Sequence, residues 1–352
     1  MTGIDYHSYH MHREIMEEPQ VVARMMEMEG DKIRGLARIV RERDIGCIVI
    51  AARGTSDNAA QLARYLFEYI NGVPVSLAAP SIYTLYGAKV KLDKALVLGV
   101  SQSGEGLDVV EVVKHAREAG AVTIGITNNE GSALARTAEH AIFCRAGEEK
   151  SVAATKTYVA QLVGFYMLSL EWAGRSDLLG ELARMPGYME RVLAMEEGIR
   201  GIVPRYRYMK ECVVTGRGFN YCTALEAALK VKETCYVGSQ PYSVADFLHG
   251  PIAIIEEGFP TFVIAPPGKA FPNVMELCAE LRDRKAETIV LSSAPEILEM
   301  GTVPLKIPFE LDEVLTPLVY IAPMQLFSFH LALVKGLNPD QPRGLKKVTL
   351  TR

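Results

Sequence analysis

Three groups of residues in this sequence have the types and spacing to do chemistry. The first is a pair of short loops, Gly54-Thr55-Ser56 and Ser101-Gln102-Ser103-Gly104, each set where an apolar run ends and a helical pattern begins. A helix N-terminus offers unpaired N–H groups and a favourable dipole to an anion. Hydroxyls add donors, and glycine lets the backbone approach closely. The competing reading is that these hydroxyls only cap helices, as Ser and Thr often do. Two such loops in one half keep the anion reading open. Neither is followed by the Gly-Lys-Ser/Thr of a P-loop, and neither carries the G-x-G-x-x-G of a dinucleotide site.

The second group is Glu226, Lys230 and Glu233, spaced i, i+4, i+7 within the helical stretch Thr223–Tyr236, so the three share one face. Such a face is usually solvated, but the rest of this helix is rich in Ala, Leu, Val, Tyr and Cys. Lys232 is expected to face solvent. Near it in sequence, His249 sits in Asp246-Phe247-Leu248-His249-Gly250-Pro251, which reads as a turn after a short helix. A lone histidine is commonly structural, yet its residue type is also the commonest acid/base. His330 lies in an apolar stretch and reads as core, while His7, His10 and His12 read as a solvated tail. The third group is the segment Asn338-Pro339-Asp340-Gln341-Pro342-Arg343-Gly344-Leu345-Lys346-Lys347. It is either a disordered basic tail or a folded one that delivers a lysine to a site.

The elements that must position these groups alternate. Charged helical residues from about 12 to 43, with Pro19 near a helix start, precede an apolar strand at Cys47–Ala52 that runs into the first loop. A helix at Asn58–Ile70 and a strand at Val73–Ala78 follow. A strand at Ala95–Val100 runs into the second loop, then a helix at Leu107–Ala119 and a strand at Val122–Thr127. Alternating apolar strands and amphipathic helices imply a mostly parallel sheet covered on both faces. The pattern then repeats. Val213–Gly218 with its helix corresponds to Val49–Gly54 with its helix, Phe262–Ala265 to Leu96–Gly99, and Thr288–Ser293 to Val122–Thr127. This reads as two copies of one domain, joined by the apolar helix Thr155–Trp172 and the charged stretch Arg175–Arg205. A last helix is expected over Leu318–Lys335. The second copy has Pro266-Pro267-Gly268-Lys269 where the first has Ser101–Gly104, so one phosphate site per chain is expected, in the first half.

Bulk properties narrow the functions. At 352 residues the chain has room for about two domains. A net charge of −4 argues against a general nucleic-acid binder while leaving a small anionic ligand open. The six cysteines form no C-x-x-C pair, so they read as small buried hydrophobes in a reducing cytoplasm rather than a zinc site. The N-terminus has no basic region followed by an apolar stretch, and no run of ~18 apolar residues is evident, so neither a signal peptide nor a membrane span is expected.

Six motifs, in order, resemble a known family. They are Gly54-Thr55-Ser56, Ser101-Gln102-Ser103-Gly104-Glu105, Val152-Ala153-Ala154-Thr155-Lys156, the run Ala224–Glu233, Leu248-His249-Gly250-Pro251 and Asp340-Gln341-Pro342-Arg343. Together, covering nearly the whole chain from about residue 12, they are similar to the tandem sugar-isomerase (SIS) domain family, as in the isomerase half of glucosamine-6-phosphate synthases and in stand-alone type II glucosamine-6-phosphate deaminases. The resemblance implies two tandem α/β/α SIS domains with mostly parallel, flavodoxin-like sheets. It implies N-terminal helices over 1–44, domains over 45–175 and 206–335, a helical linker over 176–205, and a tail over 336–352 reaching the active site. It implies that Gly54, Thr55, Ser56, Ser101, Gln102, Ser103, Val152 and Ala154 bind the sugar phosphate. It further implies that Glu233 moves a proton between C1 and C2, that Lys230 assists at the sugar hydroxyls, that His249 opens the sugar ring in a partner subunit's site, and that Lys347 (or its neighbour Lys346) forms a Schiff base at C2.

No metal or cofactor is implied, and the implied partners are a sugar phosphate and a second copy of the chain. The sequence departs from the family pattern at Gly106, where synthases have a threonine, and at Ala154, where the family has a serine. It begins Met1-Thr2-Gly3 with no room for a glutamine-hydrolysing domain, so free ammonia is the expected nitrogen partner. The expected reaction is glucosamine 6-phosphate plus water giving fructose 6-phosphate plus ammonia. A fructosamine-phosphate deglycase, a galactosamine-phosphate deaminase-isomerase and a non-catalytic sugar-phosphate regulator are the alternatives.

Overall fold

The computed structural model describes residues 5–347. Two five-stranded sheets form, both entirely parallel. The first contains β1 (Cys47–Ala51), β2 (Val75–Leu77), β3 (Ala95–Val100), β4 (Val122–Thr127) and β5 (His140–Phe143). The second contains β6 (Glu211–Gly216), β7 (Gly238–Ser243), β8 (Pro260–Ile264), β9 (Glu287–Ser292) and β10 (Val303–Lys306). The spatial orders are β2-β1-β3-β4-β5 and β7-β6-β8-β9-β10, one flavodoxin-like topology repeated, as the sequence repeat anticipates. β3 and β4 are buried on both faces, which is why β3 reads as an unbroken apolar run and β4 sets Thr123 and Thr127 among apolar residues.

The compact units do not follow chain order. Among the described residues, one consists of residues 17–186 with 344–347, and the other of 5–16 with 187–343. The N-terminal helices, a single block in the sequence, therefore divide between Met16 and Glu17. In the first unit the helix Glu18–Glu42 starts with Pro19 in its first turn, where the missing N–H costs nothing. It turns Val21, Val22, Met25, Ile33, Leu36 and Val40 inward against the helix Lys156–Ala173. The latter, expected to join the halves, instead lies in the middle of this unit, because residues 156–170 are buried on every face. Glu29 is buried and accepts from the guanidinium of Arg145 (Nε 2.7 Å) and from Phe143 N (3.2 Å), which fastens that helix to the edge strand β5.

In the second unit the core is built on the helix Pro317–Val334. The sequence reading of no apolar run near 18 residues is corrected here, since this 18-residue helix is long and apolar enough to cross a membrane. Within the fold 89% of its apolar window is buried, and its Phe327 ring meets Phe262 edge-on at 4.9 Å. The solvated-tail reading is also corrected for His12, while His7 is exposed as expected. His12 is buried, and its Nε2 lies 2.8 Å from Glu196 Oε1, the same oxygen that His330 Nε2 approaches to 2.9 Å. Asp340 accepts from His10 N and Met11 N, both at 2.8 Å, and so caps the helix His10–Met16. All six cysteines are free, and all but Cys47 are buried.

Gly99 in β3 shows how tightly the first sheet is covered. A Cβ there would lie 2.5 Å from Val113 Cγ2 and 2.7 Å from Leu134 Cδ1. Gly99→Ala is expected to destabilise by about 1–3 kcal/mol through overpacking, read as a lower thermal midpoint. An unchanged midpoint would show that the covering helices can shift.

Candidate active site

In a sheet of this order, β1 and β3 are neighbours whose connections leave in opposite directions, and ligands bind at that switch point beyond the strands' carboxyl ends. The two hydroxyl loops are the ones that follow β1 and β3. Gly54 adopts φ +55°, a conformation other residues rarely take, and starts the helix Thr55–Leu66. Ser56 is buried, and its Oγ accepts from Gln161 Nε2 at 3.0 Å, so its position is set by the central helix. Thr55, Ser101, Gln102 and Ser103 are half-buried and Gly54 is exposed.

In the second loop, Ser101 Oγ accepts from Gly104 N (3.1 Å) and Ser103 Oγ accepts from Glu105 N (3.3 Å). Each oxygen thus spends its acceptor capacity on the backbone while its O–H remains a donor suited to an anion. Gly104, at φ +68°, has no room for a Cβ, which would lie 2.7 Å from Thr127 Oγ1. At Gly106, which precedes the helix Leu107–Glu118, a Cβ would make ordinary contacts 3.5 Å from Asp108 Oδ1 and 4.0 Å from Ser101 Oγ. Arg53 Nε donates to Asp108 Oδ2 at 2.6 Å, tying the two loops to each other and neutralising a buried carboxylate beside the cradle.

The tail is folded and adds to the same unit. Lys347 Nζ donates to Glu149 Oε2 (2.8 Å) and to the Ser151 carbonyl (2.7 Å), whereas Lys346 is exposed. Glu149 also accepts from Thr155 N (3.0 Å), Thr157 N (3.1 Å) and Thr157 Oγ1 (2.8 Å) at the start of the central helix. Burial would push its carboxyl up, but Lys347 and these donors together hold it below the usual carboxylate range. Val152 and Ala154, the expected sugar contacts, are half-buried in the loop between Ser151 and Thr155.

The other unit holds the acid/base candidates. Glu226 and Lys230 are fully buried on the helix Tyr221–Cys235, and the Glu233 side chain remains 23% exposed. Lys230 Nζ lies 3.3 Å from Glu226 Oε1 and 2.6 Å from Glu233 Oε2. Burial opposes its charge, but the two carboxylates more than compensate and raise its pKa above the ordinary lysine value. Of the three, Glu233 alone reaches the surface, with a fixed cation behind it. Lys232 is exposed as expected. His249 caps the C-terminus of the helix Val244–Leu248, with its N–H donating to Ala245 O and Asp246 O (both 3.2 Å), and the residue is exposed.

The loops of the second copy hold an anion of their own. Glu313 Oε2 accepts from Lys269 N (2.6 Å) and Oε1 from Ala270 N (3.3 Å), just before the helix Phe271–Asp283. Oε1 also lies 3.9 Å from a Cβ built on Gly218, in the loop after β6. A carboxylate therefore occupies the switch point of the second sheet. Sequence reasoning missed Glu313, Glu149, Gln161 and the Arg53–Asp108 pair. The one local signal was a glutamate shortly before the Thr155-Lys156-Thr157 helix start, the kind of carboxylate that satisfies first-turn N–H groups.

Two doubly wound parallel sheets, one with a hydroxyl-lined loop pair at its switch point and one with that point filled by a side chain, define a duplicated α/β protein. Residues 43–170 and 207–335 each match the SIS domain, and the chain belongs to that family. It is 37% identical over 343 residues to the glutamine–fructose-6-phosphate aminotransferase (isomerizing) of Methanothermobacter thermautotrophicus, a match covering 97% of this chain and 57% of that protein. The chain thus spans little more than half the length of this relative. Among solved structures, the C-terminal domain of glucosamine-fructose-6-phosphate aminotransferase from Francisella tularensis superposes with a TM-score of 0.85 at 28% identity, covering 95% of this chain and 98% of that one. A candidate phosphosugar isomerase from Silicibacter pomeroyi DSS-3 gives a TM-score of 0.85 at 32% identity, covering 94% and 100%.

Lys230→Met would leave the buried Glu226 and the partly exposed Glu233 without their cation, and a loss of about 3–5 kcal/mol is expected in chemical denaturation. The pH dependence has a definite sign. A raised lysine pKa contributes stability that is complete below the unfolded value of about 10.4 and is lost only as pH rises through the folded value. The wild-type melting temperature should therefore show no loss from this group between pH 7 and 9, and a decline in that window would refute the assignment.

Proposed function

We propose that this chain is a sugar-phosphate aldose–ketose isomerase that interconverts glucosamine 6-phosphate and fructose 6-phosphate, with ammonia as the nitrogen partner. The observation that carries the reading is the folded tail, which seats Lys347 against the 151–154 loop. A lysine amine is the group that turns a ketose carbonyl into an electrophilic imine. The relatives' names supply the sugar, since the aminotransferases matched here are named for fructose 6-phosphate.

In this reading the phosphate is held by the Ser101 and Ser103 hydroxyls, Thr55 and the N–H groups at the two helix starts. His249, supplied to the site of a second copy of the chain, is the acid/base that opens the sugar ring. Glu233, aimed by Lys230, carries the proton between C1 and C2, and Lys347 forms the imine at C2. Hydrolysis at C2 of the amino sugar, once it has tautomerised to the C2 imine, releases ammonia and leaves the ketose. Gly106 and Ala154 lack the hydroxyls of the family pattern, which favours a test across several amino-sugar and fructosamine phosphates.

Incubation with glucosamine 6-phosphate is expected to yield ammonia and fructose 6-phosphate in equal amounts. Glu233→Gln should lower kcat by roughly 10²–10⁴-fold while ligand binding persists. If no amino-sugar or fructosamine phosphate turns over although they bind, the chain is a non-catalytic binder and the proposal fails. Separately, Ser101→Ala with Ser103→Ala should raise KM more than it lowers kcat, because the cradle holds a part of the substrate that does not react.

A further inference from the structure

We infer that Glu149 is a positioning residue for Lys347, one that seats the tail lysine as an ammonium and accepts the proton it must lose before it can attack a carbonyl carbon. This rests on the proposed function, which gives Lys347 its chemistry, and adds a residue that neither the family match nor the relatives' names assign.

The geometry is specific. Glu149 is buried and its carboxylate has no freedom of orientation, because Thr155 N, Thr157 N and Thr157 Oγ1 all donate to it. With both of its oxygens engaged by the start of the central helix, Oε2 is presented to Lys347 Nζ at 2.8 Å. The Ser151 carbonyl supplies a second acceptor at 2.7 Å. The residues just before Lys347 (Leu345 and Lys346) are exposed, so this side chain is where the end of the tail is fastened to the unit. Burial first, then the Glu149 and Glu29 charges, push the Cys144 thiol up, so it is neutral and does not compete for the proton.

The step balances. Lys347 gives one proton to Glu149, and its nitrogen lone pair bonds to C2 of the open ketose phosphate. The C2–O bond then breaks, and the oxygen leaves as water with that proton and a second one from nitrogen, giving the protonated imine. A neutral backbone carbonyl cannot take the proton, which leaves Glu149 as the acceptor in contact with Nζ; the Lys347 charge that holds its carboxyl low disappears as the proton moves, and burial then favours the protonated acid.

The test is reductive trapping of full-length protein with fructose 6-phosphate and borohydride, followed by mass spectrometry of the Lys347 peptide, with inorganic phosphate binding measured in parallel. Wild type is expected to trap at Lys347. Glu149→Gln keeps the shape and loses the proton acceptor, so its trapping rate at neutral pH should fall at least ~10-fold and recover as pH rises and hydroxide takes over. Glu149→Asp should restore part of the rate, and phosphate binding should not change. A merely electrostatic partner predicts the opposite sign, because removing the carboxylate would favour the neutral amine, so equal or faster trapping in Glu149→Gln overturns the inference. Should that variant fail to fold, Thr157→Val, which removes one donor that orients the carboxylate, must show a smaller drop, and no drop overturns the inference equally. If wild type itself is not trapped, the Schiff-base reading of Lys347 falls first and takes this inference with it.

Discussion

A parallel sheet that begins near its middle and winds outward both ways must reverse direction once, and at that reversal two adjacent strands send their chains to opposite faces. The gap between those departing chains is the one place on such a sheet where backbone N–H groups from two helix starts converge without a strand or helix in the way. Here the gap lies between β1 and β3, and again between β6 and β8. The rest of the molecule is arranged around it. Gly54 and Gly104 allow the chain to turn sharply there, Ser56 is held from behind by Gln161, and Arg53 joins the two loops through Asp108.

Charge is placed in both units by burying one side of an ion pair and leaving the other within reach of solvent. Lys230 is fully buried behind the partly exposed Glu233, and Glu149 is fully buried behind the partly exposed Lys347. Burying the fixed member costs desolvation, which is recovered only because it makes several contacts at once. Lys230 has two carboxylates, and Glu149 has three donors besides the lysine. The outer member keeps access to solvent while its position is dictated from below.

Much of this was readable in the sequence, and the failures have common causes. β3 and β4 were placed to the residue because strands buried on both faces are predominantly apolar. The edge strands β5, β7 and β10 were missed. β7 contains Gln240 and Pro241 and β10 contains Pro304, a residue that edge strands tolerate and central ones do not. The i, i+4, i+7 spacing located Glu226, Lys230 and Glu233, but spacing alone could not say which of them would be buried. Contacts across long separations left no local trace at all. Glu149 and Lys347 are 198 residues apart, and His12 and Glu196 are 184 apart, so the histidine read as solvated tail.

The carboxylate of Glu313 separates the two copies of the domain in another respect. An anion attached to the chain is present at a fixed and high effective concentration, so the second copy's loops are satisfied under every condition the protein meets. Under the proposed function the first copy's loops take a dissolved anion instead, and whatever binds the folded state alone adds stability in proportion to the logarithm of its concentration. If the proposed function holds, the two halves of one duplicated fold follow different rules: the second copy's loops are satisfied from within the chain, while the stability of the first rises with the concentration of its sugar phosphate.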